Sequence, residues 1–178
     1  MRIIGGEFRS RRLKSLQGNA LRPTPDRLRE ALFNVLATRV AGCTFLDAYA
    51  GCGAVGIEAL SRGAARAIFI EKHRPAASVI EANLQALGAQ ARARVIRGRT
   101  LAHLERLEAG IVFLDPPYEL VNEYEGAMGI LGKKAPPLVI VQHPVRLSLQ
   151  EAYGSLRGTR TLKQGDNLLS FFEPASTS

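Results

Sequence analysis

The sequence predicts an α/β domain built around a mostly parallel sheet, and three observations support this. Short apolar runs, of the kind that form buried strands, alternate with segments whose apolar residues recur at helical spacing. Three of the runs end in an acid, namely Asp47, Glu71 and Asp115. At 178 residues, the chain is long enough for one domain with a sizeable core. Alternating strands and helices form right-handed βαβ units, so we expect helices on both faces of the sheet.

The first part of the chain is predicted to be an arm followed by a helix. Residues 2–14 combine glycines, basic residues and spaced apolar positions, which favours a small hairpin or an extended arm. Thr24 is a candidate cap and Pro25 a candidate first residue of a helix that ends near Arg39. The boundary of this basic extension is expected near residue 42.

The rest of the chain is predicted to alternate between strands and helices up to a closing antiparallel hairpin, which adds an edge to the sheet. The expected strands are residues 44–47, 67–71, 94–97, 111–114 and 138–141. The expected helices are residues 54–61, 76–87, 100–107 and 122–131. The hairpin is expected to pair residues 160–163 with 168–173 around Gly165, Asp166 and Asn167. We therefore divide the chain into an extension (1–42) within the same compact unit, a core (43–174) and a tail (175–178).

The net charge of +8 and the pI near 10.1 are unevenly distributed. Residues 1–30 hold eight Lys and Arg but only three acids. A basic end on a compact domain predicts a polyanionic partner, nucleic acid first, and the alternative is an arm that only aids solubility. There is no apolar run of membrane-spanning length and no signal-peptide pattern. Cys43, Cys52 and the three histidines lack metal-ligand spacing, so we expect no metal and a cytoplasmic location.

Asp115, Pro116, Pro117 and Tyr118 follow an apolar run that is expected to be a strand buried on both faces. Proline has a fixed φ and no N–H, so the two prolines would stiffen the backbone where it leaves the sheet. The Asp115 carboxylate and the Pro116 carbonyl would then point in set directions, with the ring of Tyr118 beside them. A planar base that bears an amine needs two such acceptors and a stacking face. The alternative is a Pro-Pro turn that only closes a core strand.

A glycine-rich loop with Gly51, Gly53 and Gly56 follows the first predicted core strand and matches the dinucleotide-binding pattern. Glu71 lies where a ribose-binding acid belongs. Asp47, however, precedes the loop, and an acid there would repel a pyrophosphate by about 1–4 kcal/mol. No room remains for the substrate domain of a dehydrogenase. The order of Asp47, the glycine-rich loop and Glu71 therefore matches an S-adenosylmethionine site better than an NAD site. The remaining alternative is a glycine turn that only packs a helix against a strand.

Four blocks of the sequence resemble the RsmD family, the small-subunit (16S) rRNA guanine-N2 methyltransferases. The last block is Ile111-Val112-Phe113-Leu114-Asp115-Pro116-Pro117-Tyr118, and its final four residues are similar to the (Asp/Asn)-Pro-Pro-(Tyr/Phe) motif of amino-directed methyltransferases in general. The other blocks are Arg2-Ile3-Ile4-Gly5-Gly6, then Leu21-Arg22-Pro23-Thr24 with Asp26-Arg27 and Arg29-Glu30-Ala31-Leu32-Phe33-Asn34, and Leu46-Asp47-Ala48-Tyr49-Ala50-Gly51-Cys52-Gly53-Ala54-Val55-Gly56 with Glu58-Ala59-Leu60-Ser61-Arg62-Gly63-Ala64. Gly165-Asp166-Asn167 extends the likeness toward the end of the chain.

The resemblance implies a Rossmann-like class I methyltransferase fold and methyl transfer from S-adenosylmethionine to the exocyclic N2 of a guanine. The catalytic residues it implies are Asp115, Pro116, Pro117 and Tyr118. The cofactor-binding residues are Asp47, Tyr49, Ala50, Gly51, Gly53, Gly56, Glu71, Lys72, Arg99, Thr100 and Asp115. The RNA-binding residues are Arg2, Arg9, Arg11, Arg12, Lys14, Arg22, Thr24, Arg27 and Arg29. The implied partner is small-subunit rRNA or its assembly particle, and we expect a monomer.

This sequence departs from the family pattern at three places. Cys52 stands where the family usually has Ser. Arg97-Gly98-Arg99-Thr100 lacks the acid or amide that often follows the third strand and would meet the adenine amine. Gln142 stands where an acid is common, and the sequence assigns it no role. Three other functions remain open: a different nucleic-acid amino-methyltransferase (for DNA adenine or another RNA guanine), a non-catalytic RNA-binding assembly factor with this fold, and an NAD oxidoreductase.

Overall fold

One eight-stranded sheet forms the centre of the computed structural model, which describes residues 1–18 and 24–177. The strands are β1 (Thr44–Asp47), β2 (Arg66–Glu71), β3 (Ala93–Arg97), β4 (Ile111–Leu114), β5 (Leu138–Pro144), β6 (Ala152–Tyr153), β7 (Leu156–Gln164) and β8 (Asn167–Pro174). Their order is β3-β2-β1-β4-β5-β8-β7-β6. The first five in this order are parallel, and β8, β7 and β6 add an antiparallel edge. The predicted parallel sheet with an antiparallel edge hairpin is therefore confirmed.

The strand order reverses between β1 and β4, which lie side by side although β2 and β3 come between them in the chain. Asp47, the last residue of β1, is in register with Phe113 of β4. Asp115 therefore follows β4 at the same edge of the sheet. In open α/β folds, ligands bind at the carboxyl ends of the strands beside such a reversal.

In the described part of the chain, five α-helices connect and cover the strands: α1 (Asp26–Leu36), α2 (Ala54–Ser61), α3 (Arg74–Leu87), α4 (Thr100–His103) and α5 (Val121–Lys134). The predicted cap of α1 is wrong, because Pro25 precedes the helix and no side chain caps it. Sequence patterns also missed β6, which has only two residues. The helix expected over 100–107 is a short α4 followed by a 3-10 turn, Leu104–Arg106. Among the described residues, none of these helices has both the length and the apolarity to cross a membrane.

Both faces of the sheet are buried by helices. On one face, Leu46, Val112 and Val139 pack in a cluster with Tyr124 and Met128 of α5. The opposite face is covered by α1 and α2. Its cluster includes Phe45, Phe113 and Ile140 from the strands and Leu28, Leu32 and Phe33 from α1. Because α1 covers a face of the sheet, its apolar side chains share one hydrophobic cluster with those of the strands.

The N-terminal arm is a hairpin that docks on α2. Backbone hydrogen bonds join Ile3 to Arg11 (3.0 Å) and Ser10 to Ile3 (2.8 Å), which matches the hairpin expected here. Gly6 has φ +81°, and a Cβ at this position would lie 1.9 Å from the Ser61 carbonyl oxygen. The chain can approach α2 this closely only because residue 6 is glycine.

A buried ion pair fastens the arm and α1 to the core. The Glu58 side chain is fully buried, and its carboxylate accepts hydrogen bonds from the backbone N–H groups of Ile4 (3.0 Å) and Gly5 (2.9 Å). Arg29 of α1 is also fully buried, and its Nε lies 3.8 Å from Glu58 Oε2. The Arg29 guanidinium also donates to the Arg2 carbonyl at 2.5 Å. One carboxylate therefore joins three segments that are distant in sequence.

Candidate active site

The three acids that end β1, β2 and β4 line one cleft at the carboxyl edge of the sheet. Its volume is about 1240 Å³, which exceeds that of a typical small-molecule pocket and is enough for a nucleoside cofactor together with a base. The glycine loop and the segment that follows β4 form two of its walls. Both ends of the first described range, 1–18, and the two residues before α1 also line it: Met1, Ser15, Leu16, Gly18, Thr24 and Pro25.

Asp47 lies at the bottom of this cleft and is 1% exposed. Its Oδ2 accepts a hydrogen bond from the backbone N–H of Gly56 at 2.9 Å. Burial raises the pKa of Asp47 to about 7, although the Gly56 hydrogen bond opposes the shift, and the charge of Glu71 adds to it. A cation in the cleft would favour the ionised carboxylate, so this acid suits a positively charged ligand.

We expect the Asp47→Asn variant to reveal this pKa in the pH dependence of stability. The unfolded chain loses the Asp47 proton near pH 4, but the folded chain keeps it to about pH 7, so the wild-type free energy of unfolding should fall between these values by up to about 1.4 kcal/mol per pH unit. Asparagine cannot ionise but can still accept the Gly56 hydrogen bond. Urea denaturation across this range should show the variant gaining stability relative to wild type as pH rises. A constant difference would contradict the shifted pKa.

Glu71 is held by two backbone N–H groups that border the cleft. Its Oε2 accepts from the Gly51 N–H at 2.7 Å, and its Oε1 accepts from the His73 N–H at 2.8 Å. Each carboxylate oxygen has two lone pairs, so one acceptor site remains on each. The carboxylate is therefore oriented at the cleft wall and can still accept two hydroxyl donors, as a ribose would present.

The three glycines of the loop have different structural roles. Gly51 has φ +58° and lines the cleft, and among the described residues no atom lies within 4 Å of the position its Cβ would take. Gly53 and Gly56 are buried instead. A Cβ on Gly53 would meet Ile80 at 3.1 Å, and one on Gly56 would meet Phe69 at 2.4 Å. Only Gly51 of the three lets a ligand approach the backbone, whereas Gly53 and Gly56 allow α2 and its loop to pack closely.

The other predicted cofactor residues surround the same cleft. Tyr49, Ala50, Lys72, Arg99 and Thr100 all line it. The Thr100 hydroxyl donates to the Ala48 carbonyl at 2.5 Å, and the Tyr49 hydroxyl donates to Glu123 Oε2 at 2.7 Å. Lys72 and Arg99 are exposed. Tyr49 and Thr100 are thus held in place by the protein itself, and the two cationic side chains border the opening.

The segment after β4 forms the wall opposite the glycine loop. Asp115 is half-buried at the end of the strand, and Pro116 is buried behind it. The hydroxyl of Tyr124 donates to the Pro116 carbonyl at 3.1 Å and lies 3.3 Å from the Gln142 carbonyl. Burial, followed by the negative charge of Asp115, raises the pKa of Tyr124, so this hydroxyl stays protonated and can donate. The Pro116 carbonyl, which has two lone pairs, is therefore fixed in direction and retains one for a ligand.

Tyr118 is fixed by two residues to which sequence analysis assigned no site role. Its hydroxyl donates to Asn167 Oδ1, and Gln142 Nε2 donates to the Tyr118 oxygen at 3.4 Å. Asn167 is the first residue of β8, directly after the turn that joins it to β7, and Gln142 lies in β5. These contacts join elements distant in sequence, so the only signals in the sequence were the departure at Gln142 and the Gly165-Asp166-Asn167 turn.

Most of the predicted RNA-binding residues lie on the surface. Arg2, Arg9, Arg11, Arg12, Lys14 and Arg27 are exposed. Arg22 lies outside the described residues, and Thr24 is half-buried at the cleft. Arg29 is fully buried against Glu58, so its assignment to the RNA surface is corrected to a structural role. Burial also lowers the pKa of Arg29, and its Nε and Nη1 have no hydrogen-bond partner among the described residues.

Fold and site together define a class I S-adenosylmethionine-dependent methyltransferase. The cleft fits this cofactor because it offers an acid at its base for a cation, an oriented carboxylate for ribose hydroxyls and an exposed glycine backbone. A family model described as Conserved hypothetical protein 95 matches residues 1–173. The chain therefore belongs to this family, the RsmD family, as the sequence resemblance predicted.

Individual proteins show the same relationship. The chain is 34% identical to Bacillus subtilis YlbH, which is named provisionally as an rRNA methyltransferase, over 90% of this chain and 91% of the relative. It is 44% identical to Escherichia coli K12 ribosomal RNA small subunit methyltransferase D over 66% of this chain and 60% of that protein.

Solved structures share the fold. Escherichia coli yhhF, described provisionally as a methyltransferase, has a TM-score of 0.84 and 33% identity over 99% of both chains. A Salinibacter ruber RNA methyltransferase solved with S-adenosyl-L-homocysteine has a TM-score of 0.67 over 88% of this chain and 97% of its own. At 17% identity, that second likeness shows the fold alone.

Proposed function

We propose that this protein methylates the exocyclic N2 of a guanine in small-subunit rRNA, and does so in the cytoplasm. The observation that carries the proposal is the wall after β4, where a half-buried carboxylate, a fixed carbonyl and a tethered tyrosine face the same cleft as the glycine loop. This wall suits an amine on a flat base. Membership of the RsmD family, and the name of the relative that is 44% identical, favour rRNA as the nucleic acid.

The proposed mechanism relies on orientation and electrostatics. The lone pair of the guanine amine is delocalised into the ring, so the amine is a poor nucleophile. Asp115 and the Pro116 carbonyl accept hydrogen bonds from its two N–H groups, which directs the lone pair into the cleft and stabilises the positive charge that develops on nitrogen. When bound, S-adenosylmethionine supplies an electrophilic methyl group. Tyr118 stacks on the base, and holding both reactants in line supplies much of the rate.

Each cofactor group has a proposed partner in the cleft. Glu71 accepts the ribose hydroxyls through the acceptor sites that Gly51 and His73 leave open. Asp47 faces the cationic end, and the backbone at Gly51 permits close approach. The adenine ring lies toward Arg99 and Thr100, where backbone groups take the role of the missing acid.

The extension formed by residues 1–42 is the proposed RNA-binding part. Its exposed arginines and lysine hold phosphates, and its described ends reach the cleft through Met1, Ser15, Thr24 and Pro25. A guanine must leave any helix, or start in a loop, to enter the cleft. Phosphate contacts on this extension would position that base without reading its sequence.

Mass-spectrometric mapping of methylguanine in small-subunit rRNA tests the proposed function. Cells of the source organism that lack this protein should lose one N2-methylguanine, and the wild-type gene should restore it. The Asp115→Ala variant is the matched control and should not restore it. A complete set of N2-methylguanines in the absence of the protein would overturn the proposal. Free rRNA and assembled particles, offered separately in vitro with labelled cofactor, would identify the substrate form.

Replacing Arg9 and Arg12 with alanine is expected to weaken RNA binding in a salt-dependent way. Both side chains are exposed on the arm, and neither forms an ion pair with an acid among the described residues. If each contacts one phosphate, the slope of log K against log salt should fall in magnitude by about 1.4–1.8. The control is Lys133→Ala, at the end of α5 and away from the cleft. Equal slopes of log K against log salt for the double variant and wild type would indicate that the arm only aids solubility.

A further inference from the structure

Gln142 is a buried polar residue with half of its amide unpaired. Its side chain lies in β5 and is 3% exposed. Its Nε2 donates to the Tyr118 hydroxyl at 3.4 Å, but its Oε1 has no hydrogen-bond partner within residues 1–18 and 24–177. Buried acceptors are nearly always satisfied, so an unpaired one that lines a binding cleft is a candidate ligand contact.

The hydrogen-bond pattern determines which end of the amide is left over. The Tyr118 hydroxyl has a single hydrogen, which it donates to Asn167 Oδ1. The Tyr118 oxygen can therefore only accept from Gln142, and this places the NH₂ group toward Tyr118. The oxygen of the amide is consequently the free end, and what it lacks is a hydrogen-bond donor.

Gln142 also lies next to the proposed amine-binding wall. Its main-chain carbonyl and the Pro116 carbonyl are both contacted by the hydroxyl of Tyr124, at 3.3 Å and 3.1 Å. Its side chain contacts Tyr118, the proposed stacking residue. Gln142 is thus connected to both parts of the wall, through its main chain to Tyr124 and through its side-chain amide to Tyr118.

We propose that Gln142 Oε1 accepts a hydrogen bond from the N1–H of the target guanine, an inference that rests on the proposed function. In guanine, N1–H is adjacent to the N2 amine on the same edge of the base. Asp115 and the Pro116 carbonyl would accept hydrogen bonds from the amine, and Gln142 would accept one from the neighbouring ring N–H. Adenine and 2-aminopurine carry a lone pair at N1, which would face the Gln142 oxygen without a hydrogen. Gln142 is therefore a specificity-determining residue, and it selects guanine over bases that lack N1–H.

A base analogue in the RNA, combined with substitutions of Gln142, tests this role. Small-subunit rRNA is prepared by splinted ligation with either guanosine or 2-aminopurine riboside at the mapped position, and is assembled into particles if the native substrate requires it. 2-Aminopurine keeps the N2 amine but lacks both N1–H and O6, so the change in preference between enzyme variants reports on the contact that Gln142 makes. The kcat/KM ratio for the two RNAs is measured with wild type, Gln142→Met and Gln142→Glu.

The preference of wild type for guanosine over 2-aminopurine should fall about tenfold or more in Gln142→Met, because methionine fills a similar volume but offers no oxygen acceptor. Most of that change should come from slower reaction of the guanosine RNA. Gln142→Glu keeps an acceptor and should retain a clear preference. Cofactor titration and thermal unfolding check that both variants fold. If Gln142→Met does not fold, Gln142→Glu still tests the proposal.

The possible outcomes distinguish a failure of the role proposed for Gln142 from a failure of the proposed function. An unchanged preference in Gln142→Met, or equal losses on both RNAs, would overturn the role of Gln142 and reduce it to a support for Tyr118. Loss of the preference in Gln142→Glu would overturn it as well. Failure of wild type to methylate the guanosine RNA would instead overturn the proposed function.

Discussion

The Asp115→Ala variant is expected to lower the methyl-transfer rate by about a hundredfold to a thousandfold, while cofactor affinity stays within a few-fold of wild type. Removing one preorganised group that stabilises a developing charge costs about 2.7–4 kcal/mol in other enzymes. Asp115 follows β4 directly, so its carboxylate is positioned by a strand that is buried along its whole length. Single-turnover transfer and calorimetric titration of the cofactor measure the two quantities separately.

The Asp115→Asn variant is the matched control for this prediction. Asparagine keeps one carbonyl acceptor, and the related amino-directed motif admits it at this position. If Asp115 acts mainly by accepting a hydrogen bond and orienting the amine, this variant should lose much less activity than Asp115→Ala. Equal losses in the two variants would instead indicate that the negative charge, or proton acceptance, is essential.

The Glu58→Ala variant is expected to destabilise the protein by about 3–5 kcal/mol, because it removes the buried carboxylate beside the Arg29 guanidinium and leaves, among the described residues, only the exposed Asp26, at 3.1 Å, as its acidic partner. It also removes the acceptor for the Ile4 and Gly5 N–H groups and for Arg62 Nε at 2.9 Å. The arm and α1 should therefore loosen first. Urea denaturation gives the total loss, and amide hydrogen exchange should show reduced protection concentrated in the arm.

A double substitution separates buried charge from simple loss of contact. Arg29→Met removes the cation and keeps much of the apolar stem. The double variant Arg29→Met with Glu58→Ala should be more stable than Glu58→Ala alone, since the buried cation that lost its buried carboxylate is then absent. If the two substitutions add without coupling, the ion pair is not what holds these segments together. Stability should then be attributed to the apolar contacts of Ile3, Phe8 and Leu13.

Local patterns located most of the elements because each pattern has a direct physical cause. The strand Thr44–Asp47 and the helix Ala54–Ser61 were predicted with the bounds that the structure has. An apolar run between turn residues favours a strand, and apolar positions at helical spacing favour a helix. The sequence therefore permits few other structures in these two segments. The Thr24 cap was wrong because the cap of a helix depends on where one side chain points, which composition does not determine. The strand β6 was missed because two residues are too few to form a pattern.

The candidate site was predictable where a residue's position in the chain determines its position in space. Strand-end acids in parallel units meet at one edge, and for that reason Asp47, Glu71 and Asp115 were expected together and are found together. The charge of a residue predicted its position in the structure less well than its place at the end of a strand. Arg29 was grouped with the surface arginines, but the structure places its guanidinium against Glu58, a contact between residues that are 29 positions apart in the chain.

By itself, the sequence determined the α/β architecture, the identity of the strand-end acids and the motif for an amine on a flat base, because each depends on residues that are close together in the chain. Tertiary structure alone decided which glycine faces the cleft, which arginine is buried, and which residues hold Pro116 and Tyr118. Those contacts join β5, α5 and the start of β8 to the segment that follows β4. Such contacts depend on how the sheet and helices pack, so they are set only when the whole chain has folded.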